Sequence, residues 1–364
     1  MKAAVLYEPN TPLQVVDVEQ EGPRAGEARV RVKAAGVCHS DWHIMNGDWQ
    51  LPLPMVLGHE AAGVVEEVGP GVVTVAPGDH VIFSFRPHCG RCLYCNLGRS
   101  ILCDGHASPR FAMLDGSFRL KRNGEDIRQM ARIGTFAERV VCPAEMLVPI
   151  RRDMPWAQAA LIGCCVPTGV GAVTHCARVE LGASVAVIGC GGVGLNVVQG
   201  ARLAGAARII ACDLLDEKLA FAKEFGATHT VNARRENVVE RVKELTGGRG
   251  ADYAFDAIGS EATTLQILDA VRNGGTAVIV GMAAMSARAP VAPYWMALFE
   301  KTLKGTLYGS VRPDVDFPRL VDLYMDGRLK IDQLVSRTFD LGQINEGFAA
   351  MRSGQVARGV VVFN

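Results

Sequence analysis

Two rhythms of apolar and polar positions divide this chain. Over the first eighty-five residues, Lys2–Leu6, 13–18, 28–35, Ala61–Val68 and 80–85 are short runs with β-branched residues. Pro and Gly bound them, with Gly69-Pro70-Gly71 and Pro77-Gly78-Asp79 as turns. Closely spaced strands of this kind predict a small barrel-like or sandwich body. From Ser184 the rhythm changes. The buried run Ser184-Val-Ala-Val-Ile-Gly189 opens into an apolar helical stretch ending near Ala204-Gly205, and a second strand, Arg208–Asp213, follows. A helix over 214–225, a strand at 228–231, a helix at 237–245, a strand at 253–258, a helix at 261–271 and a strand at 276–280 continue the pattern. Such alternation predicts an α/β doubly wound parallel sheet. Between the two bodies, 104–134 is irregular and polar, with Asp115-Gly116 and Asn123-Gly124 as turn signals, and reads as a surface loop or hairpin. A helix near 317–325 and a last strand at 359–363, returning to the first body, complete the reading. No internal repeat, low-complexity tract or flexible linker stands out.

Composition sharpens this picture. At 364 residues the chain is too long for one ordinary core, and two domains are expected. Hydrophobic residues at 49% and charged residues at 21% describe a globular protein in water. Lys+Arg and Asp+Glu both number 38, which argues against nucleic acid or an anionic membrane surface as the main partner. No apolar run reaches the roughly 18–20 residues that a membrane span needs. The N-terminal Met1-Lys2-Ala3-Ala4-Val5-Leu6-Tyr7-Glu8 lacks a signal peptide's apolar segment and cleavage site, so a cytoplasmic location is expected. Of eleven cysteines, an odd count, four crowd into Cys89, Cys92, Cys95 and Cys103, which favours metal over a disulfide framework. Cys142, Cys165, Cys176, Cys190 and Cys212 remain as free thiols.

The chemistry concentrates in Cys38-His39-Ser40-Asp41-Trp42-His43, where six residues offer a thiolate, two imidazoles, a hydroxyl and a carboxylate. Gly58-His59-Glu60 and, much later, Gly163-Cys164 add an imidazole and a second thiolate. Cys38, His59 and Cys164 together make a zinc site of three protein ligands, with a fourth position left for a substrate oxygen. In the quartet, two residues separate successive cysteines from Cys89 to Cys95 and seven precede Cys103. Four thiolates leave no place for water and predict a structural zinc, with an iron–sulfur cluster as the rival reading. Gly189-Cys190-Gly191-Gly192-Val193-Gly194 fits G-x-G-x-x-G between a strand and a helix. Glycines there permit the sharp turn, a pyrophosphate's approach to backbone and tight helix–strand packing. Asp213 ends the next strand, 19 residues after Gly194, where a carboxylate binds both ribose hydroxyls and repels a 2′-phosphate, favouring NAD over NADP. The same position also suits a helix N-cap. Ile258 and Val280 with Met282 lie at strand C-terminal ends, where a dinucleotide rests in such a sheet.

Taken together, Cys38-His-Ser-Asp, Leu57-Gly-His-Glu60, the Cys89–Cys103 quartet, Leu161-Ile-Gly-Cys164 with Thr168-Gly169, Gly189–Gly194, Ile344-Asn-Glu-Gly-Phe348 and Ser353-Gly354 resemble the zinc-containing medium-chain alcohol dehydrogenases nearly end to end. The resemblance implies a GroES-like catalytic domain at 1–168 and 308–364, interrupted by a Rossmann domain at 169–307. It implies one catalytic and one structural zinc per chain. Asp41 matches the carboxylate that orients the ligand histidine, and Glu60 the glutamate behind the metal, a transient ligand. Ser40 and His43 match a proton relay that runs through the nicotinamide ribose. Thr168, Lys218 and Arg358 match cofactor-binding positions, Arg358 at the pyrophosphate. His39 stands where some relatives carry arginine, which implies a looser hold on the pyrophosphate.

Trp49, Phe85, Met282 and Tyr308 match pocket-lining positions and imply a primary alcohol or aldehyde, aromatic or medium-chain, as the small-molecule substrate. The 104–134 segment resembles the dimeric alcohol dehydrogenases and the glutathione-dependent formaldehyde dehydrogenases, so a homodimer is expected and S-hydroxymethylglutathione is the alternative substrate. Asp48 keeps one glutathione-binding position, but Gln50 replaces an acid and Ala107 stands where arginine is expected. The segment also resembles nicotinoprotein dehydrogenases, which keep NAD between turnovers. A non-catalytic dinucleotide-binding protein is a further alternative, and the three zinc ligands argue against it.

Overall fold

A computed structural model describes residues 1–354 and 356–364. Contacts divide the chain into two compact units, Met1–Cys164 with Arg312–Asn364, and Cys165–Val311. The second is wider at both ends than the 169–307 read from sequence.

The first unit is β-rich. Its long strand Glu27–Gly36 pairs antiparallel with Ala61–Val68, with Arg139–Pro143 and with Arg358–Val362. The last of these is the returning C-terminal strand expected at 359–363. Along Glu27–Gly36, Val30, Val32 and Ala34 are buried while Arg29, Arg31 and Lys33 keep contact with solvent, the period of two that a half-buried sheet requires. Val30, Val32, Val65, Val81, Phe83, Phe136 and Phe348 share one core, and full burial of each such side chain is worth about 1.5–3 kcal/mol.

Part of the 104–134 segment is regular. Leu120–Arg122 and Glu125–Gln129 form an antiparallel hairpin across Asn123-Gly124. Both turn residues have positive φ, 52° and 80°, as a two-residue hairpin turn of this twist demands. Arg119, fully buried, ties this segment to the sheet through two bonds to Glu27, at 2.8 and 2.6 Å, and is itself held within the segment by a bond to Asp115 at 3.0 Å.

The second unit holds six parallel strands in the spatial order His229–Asn232, Arg208–Asp213, Ser184–Ile188, Ala251–Asp256, Val271–Ile279, Thr302–Gly305. Numbered along the chain, the order is 3-2-1-4-5-6. The winding reverses between Ser184–Ile188 and Ala251–Asp256, and that reversal opens a crevice at the strands' carboxyl ends. The helix expected over 214–225 starts at Asp216. Asp213 accepts from the N–H groups of Leu214 and Leu215 at 2.7 and 3.2 Å and holds that pair in a turn, so Leu215 takes the N-cap place.

In the first unit again, the helix expected at 317–325 begins at Pro313. Proline costs nothing in a first turn, where its missing N–H has no partner, and Asp316 accepts from the Arg312 N–H at 2.7 Å. Among the described residues, no single helix is long and apolar enough to cross a membrane.

Candidate metal centre and cofactor cradle

Cys38 leaves the end of the strand Glu27–Gly36 and caps the helix His39–Met45. His59 sits just before Ala61–Val68, and the pairing of Ala35 with Ala61 sets the two ligands at neighbouring strand ends. Cys164 follows the helix Trp156–Ile162. A Cβ on Gly163 would lie 2.8 Å from the Ala160 oxygen and 3.0 Å from the Ala61 nitrogen, so glycine is what lets Cys164 approach. Cys38, His59 and Cys164 are 6%, 3% and 7% exposed, and their ligand atoms all lie within 4.8 Å of one another. A zinc ion with Zn–S near 2.3 Å and Zn–N near 2.0 Å holds its ligands about 3.5–4 Å apart, so the donor set and spacing fit that ion.

Asp41, fully buried, grips this group from behind. Its Oδ1 accepts from the Gly58 N–H at 2.9 Å and faces His59 Nδ1 at 3.2 Å, while Oδ2 accepts from the Cys38 N–H at 3.3 Å. The pairing puts the proton on Nδ1 and leaves the Nε2 lone pair of His59 for a metal. Burial opposes a charged His59, but the Asp41 carboxylate and Cys38 outweigh it and raise its pKa well above the ordinary value. A hydrogen bond from Cys164 drives the Cys38 thiol well below its usual range, against burial and with help from Arg358, and Cys164 rises correspondingly.

Glu60 is fully buried with Arg358 Nη1 3.5 Å from its Oε2. Arg358 also donates to the Val37 carbonyl at 3.0 Å. Sequence reasoning missed Gly36, whose Cβ would lie 2.8 Å from Glu60 Cδ and so displace that carboxylate. Ser40 is half-buried and His39 exposed, both on the helix His39–Met45. His43, on the same helix, stacks on Trp49 with ring centres 4.9 Å apart and faces Asp48 Oδ2 through Nδ1 at 2.8 Å. Phe85 meets His59 edge-on at 5.4 Å. Trp42 carries the Arg352 guanidinium at 4.2 Å, a contact the sequence did not signal.

Cys89, Cys92, Cys95 and Cys103 form the second group, half-exposed, with ligand atoms also within 4.8 Å of one another. Their sulfurs are held by the lobe's own backbone. Cys89 Sγ accepts from the Cys92 N–H at 3.3 Å, and Cys103 Sγ from the N–H groups of Cys89 and Gly105 at 3.3 and 3.4 Å. Such bonds, from Arg91 first and Cys92 after it, pull the Cys89 thiol down to about 6, while burial and neighbouring thiols push Cys95 up to about 12. Leu93 and Leu97 of the lobe are 65% and 64% exposed, and a tetrahedral ion bound by the quartet would take the place of a core there.

In the second unit, the glycines of the turn each have a different reason. Gly189 has φ +95°. A Cβ on Gly194 would lie 1.8 Å from the Gly189 oxygen, so helix and strand pack too closely for a side chain. A Cβ on Gly191 meets nothing within 4 Å, which leaves the N-terminus of Gly192–Leu203 open to a phosphate. Asp213 Oδ2 accepts from the Cys190 N–H at 2.8 Å, so this carboxylate fastens the turn besides facing the crevice end. Val193 lies in the first turn of that helix, beneath Thr168-Gly169: a Cβ on Gly169 would lie 2.5 Å from the Val193 oxygen. Thr168 is 9% exposed and Lys218 half-buried. Asp256 fastens the next strand end, accepting from the N–H groups of Ile258 and Gly259 at 2.9 Å each. Ile258 and Met282 are 51% and 48% exposed, Val280 5%. Of the pocket set, Trp49 and Phe85 stand beside His43 and His59 in the first unit. Met282 and Tyr308 belong to the second, where Tyr308 is 2% exposed.

Known proteins resemble this chain along nearly its whole length. Residues 24–152 match the alcohol dehydrogenase GroES-like domain, and 192–326 match the zinc-binding dehydrogenase family. The chain belongs to the zinc-containing medium-chain alcohol dehydrogenase family. It is 43% identical to an NDMA-dependent alcohol dehydrogenase of Amycolatopsis methanolica, over 99% of this chain and 98% of that one. It is 40% identical to an S-(hydroxymethyl)glutathione dehydrogenase of Paracoccus denitrificans, over 100% of this chain and 99% of that protein. The crystal structure of benzyl alcohol dehydrogenase from Acinetobacter calcoaceticus superposes with a TM-score of 0.94 at 30% identity, covering 100% of this chain and 99% of that one.

Proposed function

We propose that this chain oxidises a primary alcohol, aromatic or medium-chain aliphatic, to its aldehyde and passes the hydride reversibly to NAD. The observation that carries the reading is the buried Cys38, His59 and Cys164 group with Asp41 behind it, a donor set that fits one zinc ion. When bound, zinc supplies a Lewis acid that eases deprotonation of an alcohol, and NAD supplies the hydride acceptor. Asp41 holds His59 and Cys38 in ligating geometry. Ser40 and His43, three residues apart on one helix, share a face on which a proton taken from the alcohol by Ser40 passes toward His43 and solvent. Glu60, steadied by Arg358, waits beside the ligands as an exchangeable carboxylate. The open Gly191 backbone, Gly192, Val193 and Thr168 of the second unit cradle the pyrophosphate, and His39 and Arg358 of the first match positions that bind the same cofactor. Asp213 and Lys218 take the adenosine ribose. In the second unit Ile258, Val280 and Met282 serve the nicotinamide and Tyr308 the substrate, and in the first unit Trp49 and Phe85 serve the substrate. The quartet holds a second, structural zinc. We further propose that the two units act as a catalytic and a cofactor domain, in a homodimer and a cytoplasmic setting.

A second reading draws on the Paracoccus relative: S-hydroxymethylglutathione as substrate. A third reading, from the resemblance of 104–134 to nicotinoprotein dehydrogenases, is an NAD that stays bound while an external acceptor takes the electrons, and the NDMA dependence of the Amycolatopsis relative supports it. A panel of benzyl alcohol, butanol and formaldehyde with glutathione, run with NAD, with NADP and with the external acceptor NDMA on protein of measured zinc content, tests all three. Turnover of benzyl alcohol or butanol without glutathione is expected, with about two zinc per chain. Strict dependence on glutathione selects the second reading, and no turnover with any of them overturns the first.

A further inference from the structure

We infer that Asp48 is a positioning residue of the proton relay, one that fixes His43 with its hydrogen on Nδ1 and so keeps the Nε2 lone pair free to receive a proton. This deepens the reading of His43 given above and rests on it. His43 Nδ1 lies 2.8 Å from Asp48 Oδ2. The same oxygen accepts from Asn46 Nδ2 at 2.8 Å, and the Asp48 N–H donates to Asn46 Oδ1 at 3.2 Å. Those bonds, Asn46 first and His43 second, hold the Asp48 carboxyl below its ordinary range, so it stays ionised at neutral pH. An ionised carboxylate only accepts, and a neutral imidazole has one donor and one acceptor nitrogen. With Nδ1 donating to Asp48, Nε2 is the acceptor.

The ring has a second constraint. Trp49 stacks on it at an interplanar angle of 20°, and the Trp49 N–H donates to the His43 carbonyl at 2.9 Å. An exposed ion pair alone is worth little. Here the Asn46-Gly47-Asp48 turn folds back on the helix that carries His43, and the side chains of His43 and Asp48 are 19% and 35% exposed. The arrangement repeats on His43 what Asp41 does to His59: a carboxylate on Nδ1, a lone pair left on Nε2. One helix and the turn after it thus set two imidazoles, His59 for a metal and His43 for a proton.

The test uses zinc-loaded enzyme with NAD and three variants, Asp48→Ala, Asp48→Asn and His43→Ala. Nitrogen-15 spectra of the imidazoles at pH 8, with the His43 signals assigned by their loss in His43→Ala, report the tautomer. In the unaltered protein Nε2 is expected to carry no proton. Asp48→Ala should mix the tautomers and lower kcat for alcohol oxidation about tenfold with KM unchanged, a share of what a general base contributes. Asp48→Asn should do at least as badly, because the amide NH2 can donate to Nδ1 and reverse the tautomer, as in the serine-protease triad. The inference fails if both Asp48 variants keep the original kcat while His43→Ala loses it. It fails equally if kcat drops with the His43 tautomer unchanged, which makes Asp48 merely structural. Full turnover in His43→Ala removes the relay reading itself, and this inference with it.

Discussion

The two cysteine groups of the first unit are built in opposite ways. Cys38, His59 and Cys164 come from three distant parts of the chain and meet in a buried place that the sheet and its glycines prepare. Asp41 orients two of them before any metal arrives. Cys89, Cys92, Cys95 and Cys103 come from one short lobe, half-exposed, and their sulfurs rest on that lobe's own N–H groups. A metal at the first is an addition to a finished pocket. A metal at the second stands in for the core that the lobe lacks.

The contrast is broken most directly at the trio. Cys38→Ser should lower alcohol turnover more than about 100-fold, since even an outer partner of a ligand is worth about 10–100-fold. Metal analysis should show one zinc lost, and NADH titration should show binding largely kept, because the fold does not depend on that ion. Unchanged turnover would falsify the assignment of Cys38. If instead the whole unit melted on losing this metal, the pocket would be no more preformed than the lobe.

The quartet should respond differently. Cys95→Ser, or mild chelation, should expose 89–103 to a protease at least about tenfold faster, while Val30, Val65 and the rest of the sheet stay protected, as expected for a local unfolding unit. Alcohol turnover should fall only a few-fold in the uncut protein. A cleavage pattern identical to that of the unaltered protein would show that the lobe stands without its ion.

Sequence patterns showed the quartet more fully than the trio, for the same reason. Spacing alone places three sulfurs around a point when two residues separate them, because a tight turn suffices, and a short lobe of seven residues brings in the fourth. The trio was found by chemistry and resemblance, and the parts that make it work were harder to see. Gly36 and Gly163 look like ordinary glycines until Glu60 and Ala61 are placed against them. The parallel sheet was legible because its strands and helices alternate regularly. The early start of the helix Pro313–Met325 was not, since it depends on an Asp316 side chain that periodicity does not register. Asp48 keeps a glutathione-binding position by resemblance, and its pairing with His43 carried no signal in the sequence.

The smallest expected effect concerns the root of the segment that follows the lobe. Asp115 is held well below the usual carboxylate range: burial opposes this, but Ser117 and Arg119 outweigh it. Its folded pKa is therefore lower than the ordinary 3.8, so its contribution is complete above about pH 4 and is lost as pH falls toward the folded value. The side chain is 44% exposed, and at that exposure the pairing with Arg119 is worth no more than about 0.5–1 kcal/mol. Asp115→Asn should lower Tm at pH 7 by about 2 °C. That gap should shrink as both proteins are acidified below about pH 4, because the unaltered protein then gives up the same charge. A gap that stays constant from pH 7 to pH 3 would assign the loss to packing around Arg119 instead. Turnover at pH 7 should not change, since Asp115 anchors the segment through Arg119 to Glu27, at the opposite end of the strand from Gly36 and Cys38.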